Sequence, residues 1–117
     1  MFLSKRVNAF KYAWEGCLAS FIHETHLKIH AVVTLMVIVA GLYFGIQRLE
    51  WILVIMCCGL VIAAELFNSS IEKLCDVITR DLNPKIKYIK DVSAAAVLIL
   101  SVCSVIVGYL VFAPYLK

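Results

Sequence analysis

Three long apolar runs constrain this chain more than any other feature: Leu27 to Ile46, Trp51 to Phe67 with helical character continuing to Ile78, and Val92 to Phe112. A helix of about 20 residues crosses the ~30 Å hydrocarbon layer of a bilayer, and each run reaches that length. Lipid offers backbone amides no water to bond with, so a spanning segment closes its hydrogen bonds internally as a helix or within a closed barrel. Runs this long and this continuously apolar select the helix. The composition agrees, because 63% hydrophobic and 16% charged residues lie far from the roughly 45–50% and 25% of a soluble domain. The expected fold is an all-α membrane protein with spans at 27–46, 51–78 and 92–112.

The first apolar run begins well into the chain and has no short h-region followed by a small-residue cleavage site, so no secretory leader is expected. Cys17, Cys57, Cys58, Cys75 and Cys103 show no C-x-x-C spacing and fall mostly in the apolar runs. Packing within the membrane is their expected use, not a disulfide framework.

Topology follows the lysines and arginines near the ends of the spans, not the overall charge. Lys5, Arg6, Lys11 and Lys28 lie around the start of the first span, and Lys73, Arg80, Lys85, Lys87 and Lys90 cluster between the second and third. The other side carries only Arg48, in the turn Gln47-Arg48-Leu49-Glu50, and Lys117. The N-terminal segment and the loop 79–91 are therefore expected in the cytoplasm, with the spans in the inner or plasma membrane.

Residues 1–22 place Phe2, Leu3, Val7, Phe10, Trp14, Cys17, Leu18 and Phe21 at spacings of three and four, while Lys5, Arg6, Lys11 and Glu15 fall largely elsewhere around the helix. That pattern predicts an amphipathic helix lying on the membrane surface. Asn83 and Pro84 separate the second and third spans. The chain 1–117 is expected to form a single unit. Three thin helices enclose little volume, so a polar site inside the membrane is expected to draw on neighbouring subunits.

The second span ends in AAELFNSSIEKLCD, Ala63 to Asp76. At 100° per residue Glu65, Asn68, Glu72 and Asp76 share a narrow arc, with Ser69 at its edge. Counting from Trp51 at about 1.5 Å per residue, Glu65 lies roughly 21 Å across and Glu72 roughly 31 Å, at the far boundary of the layer. A carboxyl at the depth of Glu65 costs at least a few kcal/mol to insert, and so points to function. Glu24, before the first span, and Lys90-Asp91, before the third, converge on the same side.

Carboxylates with a nearby lysine suit Mg²⁺-assisted phosphoryl transfer, since hard oxygen ligands hold the metal and an ammonium offsets phosphate charge. A deeper carboxylate can take the proton of a lipid hydroxyl. No G-x-x-x-x-G-K-[ST] cradle is present, so nucleotide binding would not use a Gly-rich loop. Two rival classes are a histidine-based metal-binding or transporting protein, built on His23, His26 and His30, and a non-catalytic membrane subunit. No polar stripe runs through the first or third span to conduct a metal, and a structural subunit has no use for a carboxylate stripe that meets lysine on one side.

The blocks NAFKYAWEG, Ile22-His23-Glu24, AAELFNSSIEKLCD and IKDVSAAAVL resemble the small prokaryotic integral-membrane lipid kinases that include diacylglycerol kinase and undecaprenol kinase. The resemblance covers nearly the whole chain. It implies a homotrimer with active sites between subunits, and an ATP- and Mg²⁺-dependent transfer to a lipid hydroxyl. It further implies that Glu65 is the catalytic base and that Glu24 and Glu72 bind Mg²⁺ with the nucleotide. Asn68 matches a polar residue of the same core, beside the lipid substrate. Tyr12, Asp76, Lys90 and Asp91 match nucleotide contacts, and Asp81 to Asn83 a loop near the nucleotide. The family's basic contact on the surface helix falls on Lys5 by ungapped counting, with Arg6 as the alternative. A carboxylate of the diacylglycerol kinase branch is replaced here by His30, so no role is carried to that position. NAFKYAWEG and RLEW are closer to the undecaprenol kinase branch, which makes undecaprenol the expected acceptor and diacylglycerol the alternative.

Overall fold

The structure is a computed structural model that describes residues 1–117. Its elements are α1 (Phe2–His23), α2 (Thr25–Phe44), α3 (Arg48–Ile78), α4 (Pro84–Phe112) and a short 3₁₀ turn, Ala113–Leu116. There are no strands. α2, α3 and α4 are each long and apolar enough to cross a membrane. α3 packs most extensively on α4, less on α2, while α1 meets α2.

The helices run past the apolar stretches that announce them. α3 has 31 residues and α4 29, or about 46 and 44 Å at 1.5 Å per residue, against a ~30 Å hydrocarbon layer. The surplus lies on the side of the 79–83 turn. Residues 85–91, expected in the loop, are the first turns of α4. The reason is local: Pro84 occupies the first turn, where its missing N–H costs nothing, and the Asn83 side chain accepts from the Lys85 and Ile86 amides. Hydropathy ends at Val92, but the helix does not.

The opposite turn is just as local in origin. Gly45 takes a left-handed conformation at φ 63°, which glycine adopts without a Cβ penalty, and α2 stops there, leaving Ile46 outside the helix. The Gly45 and Ile46 amides both donate to the Gly41 carbonyl. Arg48 to Glu50, expected in this turn, instead begin α3. Gln47 and Glu50 form a reciprocal capping box that satisfies amides at the helix start. Tyr115 donates its hydroxyl to Glu50 Oε1, tying the chain's end to this same corner.

Ile46, Val54 and Val111 form the buried cluster here, flanked by Phe44, Trp51 and Phe112. The bundle is thus closed at the short-turn end. Toward the other end Leu27, Glu65, Asn68, Ser69 and Cys75 are covered as well, yet only 10 of 117 residues are buried in all. A soluble helical protein could not leave so much apolar surface uncovered; a lipid-facing one does so by design of its solvent. α1 buries none of its side chains within the chain, consistent with an apolar face meant for the membrane surface.

Gly41 permits the closest helix approach. A Cβ there would lie 2.6 Å from Cη2 and 2.9 Å from Cζ2 of the Trp51 indole. Gly41→Ala therefore displaces Trp51 and lowers stability by about 1–3 kcal/mol, the usual cost of overpacking. Thermal unfolding in detergent followed by circular dichroism checks this, and an unchanged midpoint would mean that the indole swings clear freely.

Candidate active site

The face of α3 that turns inward is set by helical period. Val54, Val61, Glu65, Asn68, Ser69 and Cys75 are its buried residues, all within about 60° of one meridian. Valine near the short turn gives way to Glu65, Asn68 and Ser69 deeper along. Glu72 and Asp76 continue the same stripe but are exposed, although Cys75 between them is buried.

Glu65 is 4% exposed. No lysine or arginine lies within ion-pair range of it; His30 Nε2, from α2, stands 3.6 Å from Oε2. That separation suits a charge contact and is too long for a hydrogen bond. One turn along α3, Asn68 donates from Nδ2 to Glu72 Oε1 at 3.3 Å. Its Oδ1 is buried without any partner. An orphaned buried acceptor costs about 1–3 kcal/mol, so Asn68 is held at some expense.

The charged rim is joined by bonds between helices. Lys90 Nζ, on α4, donates to Asp76 Oδ1, on α3, at 2.8 Å. Placing Lys90 on a helix, and not in a loop, is what fixes this reach. Glu24 occupies the extended link between α1 and α2, and Lys73 Nζ lies 3.3 Å from its Oε1. Because Lys73 follows Glu72 directly, this contact brings Glu24 to the level of Glu72. Both pairs are substantially exposed, and such pairs contribute about 0–1 kcal/mol to stability. They orient the rim more than they hold the fold.

The other expected site residues are spread more widely. Asp91 pairs along its own helix with Lys87, at 2.6 Å. Asn83 spends its side-chain oxygen as the cap of α4, and the Asp81 amide donates to Thr79 Oγ1. Lys5 and Tyr12 lie exposed on α1. Within one chain, Glu24, Glu65, Asn68, Glu72, Asp76 and Lys90 gather toward one end of the bundle, but no group of three or more His, Cys, Asp or Glu side chains closes into a metal cluster.

Two residues without an expected role enter this geometry, His30 beside Glu65 and Lys73 beside Glu24. No spacing rule links them to their partners, since each contact crosses between helices. A groove of about 320 Å³ runs below the acidic stripe between α2, α3 and α4. Ile29, Val33, Val61 and Val105 line it together with the hydroxyls of Ser101 and Ser104, and His30 forms part of its wall.

A buried carboxylate on a helix long enough to cross a membrane, a charged rim toward one end of the bundle and an apolar groove between the helices suit a small all-helical enzyme that works on lipid. The sequence profile of the prokaryotic diacylglycerol kinase family matches residues 11–112. An undecaprenol kinase of Bacillus subtilis is 31% identical over 114 residues, covering 97% of this chain and 93% of that protein. A diacylglycerol kinase of Helicobacter pylori is 36% identical over 110 residues, covering 93% and 86%. One from Escherichia coli K12 is 30% identical over 100 residues, covering 86% and 82%. The chain belongs to the prokaryotic diacylglycerol kinase family. It is accordingly a membrane lipid kinase, a phosphotransferase with an alcohol acceptor.

The orphaned Asn68 oxygen makes a prediction that separates stability from function. Asn68→Leu, of similar volume, removes an unpaired buried acceptor together with the Nδ2 bond to Glu72, so the two changes offset and its unfolding free energy moves by no more than about 1 kcal/mol while kinase turnover falls. A loss of about 2 kcal/mol or more, above what the single Glu72 bond contributes, would show that Oδ1 has a partner in the assembled protein.

Proposed function

We propose that this chain transfers the γ-phosphoryl group of ATP to the hydroxyl of undecaprenol, with diacylglycerol as the alternative acceptor. The observation that carries the reading is Glu65, a buried carboxylate about two helical turns beneath the interfacial Glu72. The choice of undecaprenol rests on the segments NAFKYAWEG and RLEW, because the relatives carry both names.

ATP docks from the cytoplasm over Glu24, Glu72 and Lys90, the side to which the bias of lysine and arginine assigns the 79–83 turn. Lys5, Tyr12, Asp76, Asp81, Asn83 and Asp91 complete the nucleotide's surroundings. The acceptor enters sideways from the bilayer, its hydroxyl beside Glu65 and Asn68. Glu65 takes the hydroxyl proton as the oxygen forms its bond to the γ-phosphorus. The bond from that phosphorus to the β–γ bridging oxygen breaks, and ADP leaves with the electron pair.

The donor set fits Mg²⁺. Carboxylates of Glu24 and Glu72 are hard oxygen ligands, and Mg²⁺ takes only one or two of these together with phosphate oxygens and water. A single chain therefore needs no cluster of three side chains. Bound with ATP, the ion offsets the charge of the phosphates. Lys5 and Tyr12 stand apart from Glu65 on a helix that buries nothing in its own chain, which favours a homotrimer in which α1 and the acidic stripe of neighbouring subunits form one site.

Incubating the purified protein with labelled ATP, Mg²⁺ and either undecaprenol or diacylglycerol, then separating the lipid products, tests the acceptor directly. Undecaprenyl phosphate is the expected product; phosphatidic acid alone would reassign the acceptor, and no labelled lipid would overturn the reading. Glu65→Gln loses about 100-fold or more in turnover, the scale of a missing general base, with its melting midpoint retained. Glu72→Ala raises the Mg·ATP concentration needed for half-maximal rate, and ordinary nucleotide and metal dependence in that variant would count against the metal assignment.

A further inference from the structure

His30 is the basic group that meets the buried carboxylate. Glu65, at 4% exposure, is withdrawn from water, and an unpaired buried carboxylate costs several kcal/mol. From α2, His30 Nε2 approaches its Oε2 to 3.6 Å. His30 also lines the apolar groove between α2, α3 and α4, so an alcohol lying there with its hydroxyl toward Glu65 passes the imidazole. The two residues are far apart in sequence and on different helices; nothing but packing brings them together.

We propose that His30 is a positioning residue for phosphoryl transfer, its Nε2–H turned toward Oε2 of Glu65 so that Oε1 is left to receive the proton of the acceptor hydroxyl. This rests on the assignment of Glu65 as the base. The imidazole keeps its own proton throughout and exchanges none with the substrate. What it contributes is the orientation of a carboxylate that has two equivalent oxygens and free rotation about its last bond. With one oxygen occupied, the other is aimed. Catalytic contacts often stand long in a free enzyme and tighten when substrate binds, and the 3.6 Å separation leaves a short distance to close.

The geometry also specifies which replacements succeed. A glutamine amide nitrogen reaches about as far from the backbone as Nε2 of histidine, whereas an asparagine amide stops near the position of Nδ1. His30→Gln should keep most of the wild-type kcat. His30→Asn and His30→Leu should lose about 10- to 100-fold, the scale on which small misplacement of a reacting group is felt. The loss should fall on kcat, with the KM for Mg·ATP unchanged, since His30 lies beneath the nucleotide rim. Added to Glu65→Gln, His30→Leu should cost nothing further, because residues acting as a unit are not additive.

The experiment is steady-state kinetics of these variants in mixed micelles with saturating acceptor, alongside their melting midpoints. Wild-type kcat in His30→Asn and His30→Leu overturns the proposal, as does a loss confined to the KM for ATP. Equal losses in His30→Gln and His30→Asn that track a lowered midpoint also overturn it, since that pattern belongs to packing alone. If His30→Leu fails to assemble, the comparison of glutamine with asparagine still decides, both being polar and close in size. Undiminished turnover in Glu65→Gln would instead remove the assignment of the base itself.

Discussion

A carboxylate inside a hydrocarbon layer is the constraint around which this molecule is arranged. Glu65 cannot face lipid without a cost of at least a few kcal/mol, so the face of α3 that bears it must turn inward. That requirement orients the whole helix. Once Glu65 is inside, Val54 and Val61 follow it at helical period and become the apolar half of the same seam. Asn68 and Ser69, one turn further, are drawn in with them. At this depth the packing of α2 on α3 sets His30 beside the carboxylate.

The two ends of the bundle do different work. At the short-turn end, Gly41 admits the Trp51 indole, and Ile46, Val54 and Val111 close a small core. Glu50 there serves both the cap of α3 and the Tyr115 hydroxyl. These contacts pin the helices where no chemistry is proposed. At the other end α3 and α4 run on beyond the apolar layer, and the links between them are exposed ion pairs such as Lys90 with Asp76. Such pairs stabilise little and can rearrange around a polyphosphate at little cost. A firmly packed end and a yielding charged rim suit an enzyme whose two substrates are ATP and a lipid.

Much of the surface remains unmatched within one chain. With 10 of 117 residues buried, the apolar sides of three helices are left for lipid or for neighbouring subunits. In the proposed trimer, Lys5 and Tyr12, exposed on α1, would face the acidic stripe of another copy. The apolar groove beside His30 has the same open character, bounded on three sides by this chain.

Helical class, the number of spans, and the stripe Glu65, Asn68, Glu72 and Asp76 were legible in the sequence, because hydropathy and the 3.6-residue period depend only on the order of residues along one helix. Membership of the family was legible for a similar reason: its motifs are local blocks. Helix ends were less so, since hydropathy reports where the membrane stops, whereas Asn83 with Pro84, and Gln47 with Glu50, decide where helices begin. Lys90 illustrates the difference, being polar enough for a loop yet held on α4 to meet Asp76. The contacts of His30 with Glu65, and of Lys73 with Glu24, were beyond any reading of the chain alone. They join residues on separate elements whose relative rotation and depth are set by the sum of many packing contacts, and no single segment encodes that sum.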